Sequence, residues 1–102
     1  MKIQWTEPAV LDLEDIRDYI ARDSEFYASE FVGKIFKAVK KWKGFPQLGR
    51  RVSEVDDDSI REIIFHNYRI IYQIREKFIL ILGIIHDARD LSNMKPSPWE
   101  VT

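Results

Sequence analysis

Apolar and polar residues follow two different periods along this chain of 102 residues. Near the N-terminus, Ile3 and Trp5 alternate with polar neighbours, which predicts a short strand. Two helical stripes follow: Ala9, Leu13, Ile16 and Ile20, then Ala28, Phe31, Ile35, Val39 and Trp42. Thr6 and Ser24 precede these stripes and can act as N-caps. The short link between the stripes predicts an antiparallel helical hairpin.

From Leu48 onwards the period changes to that of strands. Three segments rich in Ile, Phe and Tyr cover 61–66, 68–75 and 78–86. The links between them are so short that the strands must form an antiparallel meander. The predicted order is β-α-α-β-β-β, an α+β fold with an antiparallel helical hairpin on one face of a small, mostly antiparallel sheet. The residues expected between hairpin and sheet are Leu13, Ile16, Ile20, Phe31, Ile35, Val39, Ile70, Tyr72, Ile81 and Leu82.

The length predicts a single domain over residues 1–91, followed by a C-terminal tail over 92–102. Residues 78–85 do not alternate, so both faces of the last strand are apolar. One layer of helices covers only one of these faces. Either the tail or the twist of the sheet covers the other, or a partner protein does.

The composition excludes several kinds of site. The chain has no cysteine, so it has no disulfide and no Cys-based metal site. His66 and His86 lack a metal-ligand pattern, and we expect neither a metal nor another cofactor. No apolar run is long enough to span a membrane, and no secretion signal is evident. We therefore expect a cytoplasmic protein without a membrane partner.

Positive charge is concentrated between Glu30 and Glu54, although the net charge is -1. This stretch contains no acidic residue, and its basic residues are Lys34, Lys37, Lys40, Lys41, Lys43, Arg50 and Arg51. It could bind an anionic partner, either a nucleic acid or an acidic protein segment. Alternatively it is a solvated helix face, neutralised by the acidic first helix. The amphipathic spacing of the lysines favours the second interpretation slightly.

Basic side chains also recur along the meander. They include Arg61, Arg69, His86 and Arg89. An arginine in mid-strand, as Arg69 is, must face solvent, pair with a carboxylate or bind a ligand. A His and Arg cluster can perform acid–base and electrostatic work on a phosphodiester. For each residue alone a structural role is favoured, such as pairing of Arg69 with Glu62.

Three motifs resemble the RelE/ParE superfamily of toxins from type II toxin–antitoxin systems. They are Phe45-Pro46-Gln47-Leu48-Gly49-Arg50, then Ile60-Arg61-Glu62-Ile63 with Tyr68-Arg69-Ile70-Ile71-Tyr72, and finally the segment 81–91. The resemblance extends over 2–91. It implies a toxin that a cognate antitoxin neutralises within a toxin–antitoxin oligomer.

The resemblance is closer to ParE-like than to RelE-like members, because the last strand ends in His86-x-x-Arg89 and no histidine or tyrosine follows. It implies a plasmid-stabilisation toxin that inhibits DNA gyrase and is not an enzyme. The candidate target-binding residues are Arg50, Arg51, Arg61, Arg69 and Arg89. One alternative is a RelE-type, metal-independent ribonuclease that cleaves messenger RNA on the ribosome, with Arg69, His86 and Arg89 as catalytic residues. Another is an inactive binding module of the same fold.

The helical hairpin is the expected docking surface for the antitoxin. It carries apolar residues outside its main stripes and positive charge beside them, and the candidates are Tyr19, Val32, Phe36, Lys37 and Lys40. An acidic amphipathic helix could lie in a groove on this surface. An extended segment could instead add to a free edge of the sheet.

Overall fold

Two helices lie against one face of a five-stranded sheet in the computed structural model, which describes residues 1–100. The helices are α1 (Glu7–Ala21) and α2 (Glu25–Trp42). The strands are β1 (Lys2–Trp5), β2 (Arg50–Arg51), β3 (Ile60–Phe65), β4 (Tyr68–Ile74) and β5 (Phe78–His86). The predicted α+β order is confirmed, and β2 is a short additional strand before the meander.

The sheet has the strand order β1-β5-β4-β3-β2. Strands β3, β4 and β5 form the predicted antiparallel meander, and a bulge at Ile71/Tyr72 shifts the register between β4 and β5. Strand β1 runs parallel to β5, with Lys2 opposite Phe78. Strands β1 and β2 therefore form the two edges of the sheet.

Both predicted helix caps are present. The Thr6 hydroxyl accepts a hydrogen bond from the Ala9 amide, and the Ser24 hydroxyl accepts one from Tyr27, each at 3.2 Å. Beyond the end of β1, helix α1 runs beside β5, where Asp12 Oδ2 accepts from the Ile84 amide at 3.0 Å. Burial raises the pKa of Asp12. Helix α1 thus covers the part of the β5 edge that β1 leaves open.

The first apolar core lies between the hairpin and the sheet. Of the residues expected there, Leu13, Ile35, Val39, Ile70, Tyr72 and Ile81 are buried in it. Ile16 and Phe31 pack against it, half-buried, and Ile20 is also half-buried. The prediction is wrong for Leu82, which is buried on the opposite face of the sheet. Leu82 follows Ile81 in a strand, and successive side chains point to opposite faces.

A second apolar core lies on the face of the sheet away from the helices. It consists of Val52, Ile60, Ile71, Leu80, Leu82, Ile85 and Leu91. From the tail, Met94 and Trp99 pack against it. The tail therefore helps to cover the second face of β5, which was one of the three alternatives expected. Residues 101 and 102 of the predicted tail lie outside the described residues.

Candidate functional site

Arg69 lies at the centre of an ion-pair network on the sheet face opposite the helices. Its Nε donates to Glu62 Oε2 at 2.7 Å, and its two Nη atoms donate to the Glu54 carboxylate at 2.9 Å each. Glu62 also accepts from Arg50 Nε at 2.8 Å. The side chains of Arg69 and Glu62 are only 11% and 2% exposed. All three nitrogens of the Arg69 guanidinium are thus engaged by carboxylates.

The strand register explains why these groups meet. Arg50 lies directly opposite Glu62 in the β2–β3 pair. Arg69 lies opposite Ile64 in the β3–β4 pair, so Glu62 is its diagonal neighbour on the same face. Glu54 comes from the loop after β2. Hydrogen bonds from Arg69 hold the pKa of Glu54 at about 2, and the Glu54 and Glu62 carboxylates raise the pKa of Arg69.

The lowered pKa of Glu54 predicts a loss of stability in acid. A carboxyl group whose pKa is depressed by folding stabilises the protein above its ordinary pKa, here 4.5, and loses that contribution as the pH falls toward about 2. We expect the free energy of unfolding to decrease over this range, and Glu54→Gln to remove part of the decrease. Denaturant unfolding at a series of pH values measures both. Glu7→Gln, on an exposed residue, is the control. An unchanged pH dependence in Glu54→Gln would contradict the prediction.

The other candidate arginines are also engaged, with one exception. Arg51 pairs with Asp56 at 3.0 Å and with Asp58 at 2.8 Å. Arg61 donates to the Asp58 carbonyl at 2.9 Å and to the Gly49 carbonyl at 3.3 Å. Arg89 is exposed, and its side chain donates no hydrogen bond to any of residues 1–100.

The structure brings only part of this candidate set together. Arg50, Arg51 and Arg69 line one polar pocket of about 500 Å³, together with Glu54 and Glu62. Arg61 and Arg89 do not line it. The positive charge predicted for this region is therefore largely neutralised at Arg50 and Arg51. On α2, Lys34 pairs with Glu30 at 4.0 Å, whereas Lys37, Lys40 and Lys41 have no carboxylate partner among residues 1–100.

His86 lies on the other face of the sheet from Arg69. Its ring packs edge-on against Tyr68 with 5.5 Å between centroids, and Tyr68 packs against Phe31 of α2. The Nδ1 atom of His86 accepts from the Ala88 amide at 3.1 Å. The three candidate catalytic residues of the ribonuclease alternative are consequently not assembled into one site.

A hydrogen-bonded tyrosine holds the link that leads into β2. The Tyr72 hydroxyl accepts from the Gly49 amide at 2.9 Å and donates to the Pro46 carbonyl at 2.8 Å. A Cβ atom at Gly49 would lie only 2.8 Å from the Glu62 carbonyl oxygen. Glycine is therefore required here so that Arg50 can reach Glu62. Gly49 and Tyr72 are 23 positions apart, and the sequence contains no local signal for the hydrogen bond between them.

Four of the candidate antitoxin-binding residues lie on α2, whereas Tyr19 lies on α1. Tyr19 is 67% exposed and lies under the guanidinium of Arg22, whereas Val32 is half-buried against the first core. Phe36 is 49% exposed and contacts the Trp5 ring, with 5.5 Å between centroids. Lys37 and Lys40 are exposed on α2 and have no carboxylate partner among residues 1–100.

A groove that the sequence did not reveal lies between β1 and the C-terminal half of α2. It has a volume of about 350 Å³, and its walls are Ile3, Trp5, Phe36, Val39, Lys40 and Lys43. The alternation of Ile3 and Trp5 was visible in the sequence, but their proximity to Phe36 depends on long-range packing. The groove combines apolar walls with a basic rim.

Residues 1–100 contain neither a candidate metal site nor a candidate membrane-spanning helix. No group of three or more His, Asp or Glu side chains is placed to hold a metal ion. Neither of the two helices in this part of the chain has the length and apolar character needed to cross a bilayer.

Comparison with known proteins identifies a family and solved structures with a similar fold. The model of a family described as "ParE toxin of type II toxin-antitoxin system, parDE" matches residues 3–91. A solved structure titled "Chromosomal ParDE TA system from P. aeruginosa" is similar, with a TM-score of 0.71 and 28% sequence identity. The similarity covers 84% of this chain and 95% of that one. No curated protein sequence matches significantly. The family match ends at Leu91, before Met94 and Trp99 of the tail.

Proposed function

Because the chain belongs to the ParE toxin family of type II toxin–antitoxin systems, we propose that it inhibits DNA gyrase and that a cognate antitoxin neutralises it in the cytoplasm. A role in plasmid stabilisation belongs to the same proposal. The observation that favours gyrase inhibition over RNA cleavage is the engagement of Arg69 by Glu54 and Glu62. An arginine held by two carboxylates cannot stabilise the charge of a phosphodiester in a transition state without losing them. His86, on the other face, cannot transfer a proton to the same site.

The test is a pair of assays on the purified protein. One assay follows supercoiling by gyrase, and the other follows cleavage of messenger RNA bound to ribosomes. We expect supercoiling to be inhibited and the message to stay intact. Cleavage of the message without inhibition of gyrase would support the ribonuclease alternative, and two negative results with folded protein would support the binding module.

Arg89 is the candidate target-binding residue whose role can be tested with the least effect on folding. Since its side chain is exposed and donates no hydrogen bond within residues 1–100, Arg89→Ala should leave the thermal midpoint within a few degrees. We expect it to weaken inhibition of supercoiling by about tenfold, the loss of one charge-assisted contact. Arg22→Ala removes an exposed arginine that is not a candidate target-binding residue, and it is the matched control. Equal activity of the two variants would remove Arg89 from the target-binding surface.

Lys37 and Lys40 should accelerate association with an acidic antitoxin. Exposed charges act mainly on the association rate, because they steer the encounter of the two proteins. Replacing both lysines by Glu should slow association by about tenfold at low salt and change dissociation much less. Stopped-flow or surface-binding kinetics at two salt concentrations measure this. A change confined to the dissociation rate would place these lysines inside the interface instead.

A further inference from the structure

We propose that an extended segment of the antitoxin, acidic and with bulky apolar residues, adds to the sheet as a further strand along the free edge of β1. This inference rests on the proposed neutralisation by an antitoxin, and it specifies how the partner docks. Three independent features of the structure support it: an unpaired strand edge, an apolar groove beside that edge, and a basic rim around the groove.

The edge of β1 that faces away from β5 carries unpaired backbone amide and carbonyl groups. Among residues 1–100, strand β1 pairs with β5 alone, and the next residue, Thr6, donates its amide hydrogen to the Ile81 carbonyl at 3.1 Å. Alternate residues of a strand direct their amide and carbonyl groups to opposite sides. Ile3 and Trp5 therefore direct theirs away from β5, where no strand of the described chain pairs with them. An exposed edge of this kind is a template for another strand.

The other edge of the sheet is a poorer template. Strand β2 has only two residues, Arg50 and Arg51. Both side chains are held in ion pairs with carboxylates of the same chain. Charged residues on a short edge strand are a common protection against pairing. The free edge is therefore that of β1.

The groove beside β1 can receive the side chains of an added strand. Ile3 and Trp5 face α2, where Phe36 and Val39 form the opposite wall. An added strand would point every second side chain toward the helices and into this space of about 350 Å³. In such complexes the main chain supplies affinity and the pockets supply specificity. One or two bulky apolar residues at alternate positions fit the groove.

The rim of the groove favours negative charge in the partner. Lys40 and Lys43 line it, and Lys37 and Lys41 lie on the same half of α2. None of these four ammonium groups has a carboxylate within 4.0 Å among residues 1–100. The phosphates of a nucleic acid would also be attracted, but they have no donor for the carbonyl groups of Ile3 and Trp5, whereas a peptide main chain can pair with both the amides and the carbonyls. The edge and the rim together therefore favour an acidic peptide segment.

Amide hydrogen exchange on the full chain, alone and in complex with its cognate antitoxin, tests the proposal. In the free chain the Ile3 and Trp5 amides should exchange rapidly, and in the complex we expect their exchange to slow by at least about tenfold. The Gln4 amide, which faces β5, should be protected in both states and serves as the internal control. A 20-base-pair DNA duplex is the parallel probe and should not protect the two amides.

A matched pair of variants tests the main-chain contact separately. Ile3→Ala removes only the side chain, whereas Ile3→Pro also removes the amide that faces the free edge, a position where proline is tolerated. The proline variant should bind the antitoxin at least about tenfold more weakly than the alanine variant. Equal affinities overturn strand addition. Should Ile3→Pro fail to fold, the exchange measurement on the unmodified chain decides.

The outcomes separate this inference from the proposed function. If the chain and the antitoxin form no complex, the proposed neutralisation fails and the inference fails with it. If a complex forms but the Ile3 and Trp5 amides stay unprotected, only strand addition is overturned, and docking on the hairpin explains the complex. Protection by the DNA duplex but not by the antitoxin also overturns it, in favour of a nucleic-acid surface.

Discussion

Replacing Arg69 by alanine should lower the free energy of unfolding by about 3–5 kcal/mol, because it leaves a buried carboxylate without its main partner. The Glu62 side chain is only 2% exposed, and Arg69 donates to it from two nitrogens. Arg50 would remain as a partner, but its own side chain is 68% exposed and offers weaker compensation. Urea denaturation at neutral pH measures the loss, and toxicity should fall in proportion to the folded fraction.

A double variant distinguishes a structural from a functional role of Arg69. In Arg69→Met with Glu62→Leu both buried charges are replaced by apolar side chains, an exchange that is often neutral or stabilising. We expect most of the lost stability to return, and inhibition of the target to return with it. A single Arg69→Ala variant that melts within a few degrees of the original chain but has lost toxicity would instead show that Arg69 contacts the target.

Truncating Ile81 to alanine should cost about 2–5 kcal/mol, because the side chain is completely buried in the core between hairpin and sheet. The loss includes the transfer of the missing methyl groups and the cavity that they leave. Ile64→Ala is the matched control on β3, where the side chain is 44% exposed, and a change within about 0.5 kcal/mol is expected. Thermal and denaturant unfolding of both variants measure the difference. If Ile81→Ala lowers the free energy of unfolding by less than about 1 kcal/mol, the helices do not bury this face of the sheet.

Local periodicity was enough to predict the helices, their caps and the meander. Spacings of three and four residues identify a helix face without reference to the rest of the chain, and the short links leave only antiparallel neighbours. The parallel pairing of β1 with β5 could not be predicted in this way, because no local link relates Ile3 to Ile79. The burial of Leu82 on the second face was missed because the run 78–85 is apolar at every position and shows no alternation.

Only the part of the candidate site that depends on strand pairing could be predicted from the sequence. The pairing of Arg69 with Glu62 was one of the alternatives, since both residues lie on predicted neighbouring strands. The contribution of Glu54 depends on a loop, whose path no periodicity determines. His86 lies on the opposite face of the sheet from Arg69 because it packs against Tyr68, and this contact requires the observed register and bulge. The groove at Trp5 and Phe36 again depends on the long-range position of β1.

The parallel pairing of β1 with β5 has a consequence for the biosynthesis of the toxin. The Thr6 hydroxyl, directly after β1, donates a hydrogen bond to the carbonyl of Leu82, which lies 76 positions later in the chain. The ribosome makes β5 after every other strand, so β1 has no partner in the sheet until translation has nearly finished. Contacts of such high sequence separation also slow folding. A nascent or prematurely terminated polypeptide that lacks β5 therefore cannot complete the sheet, and a truncated message should yield a harmless product.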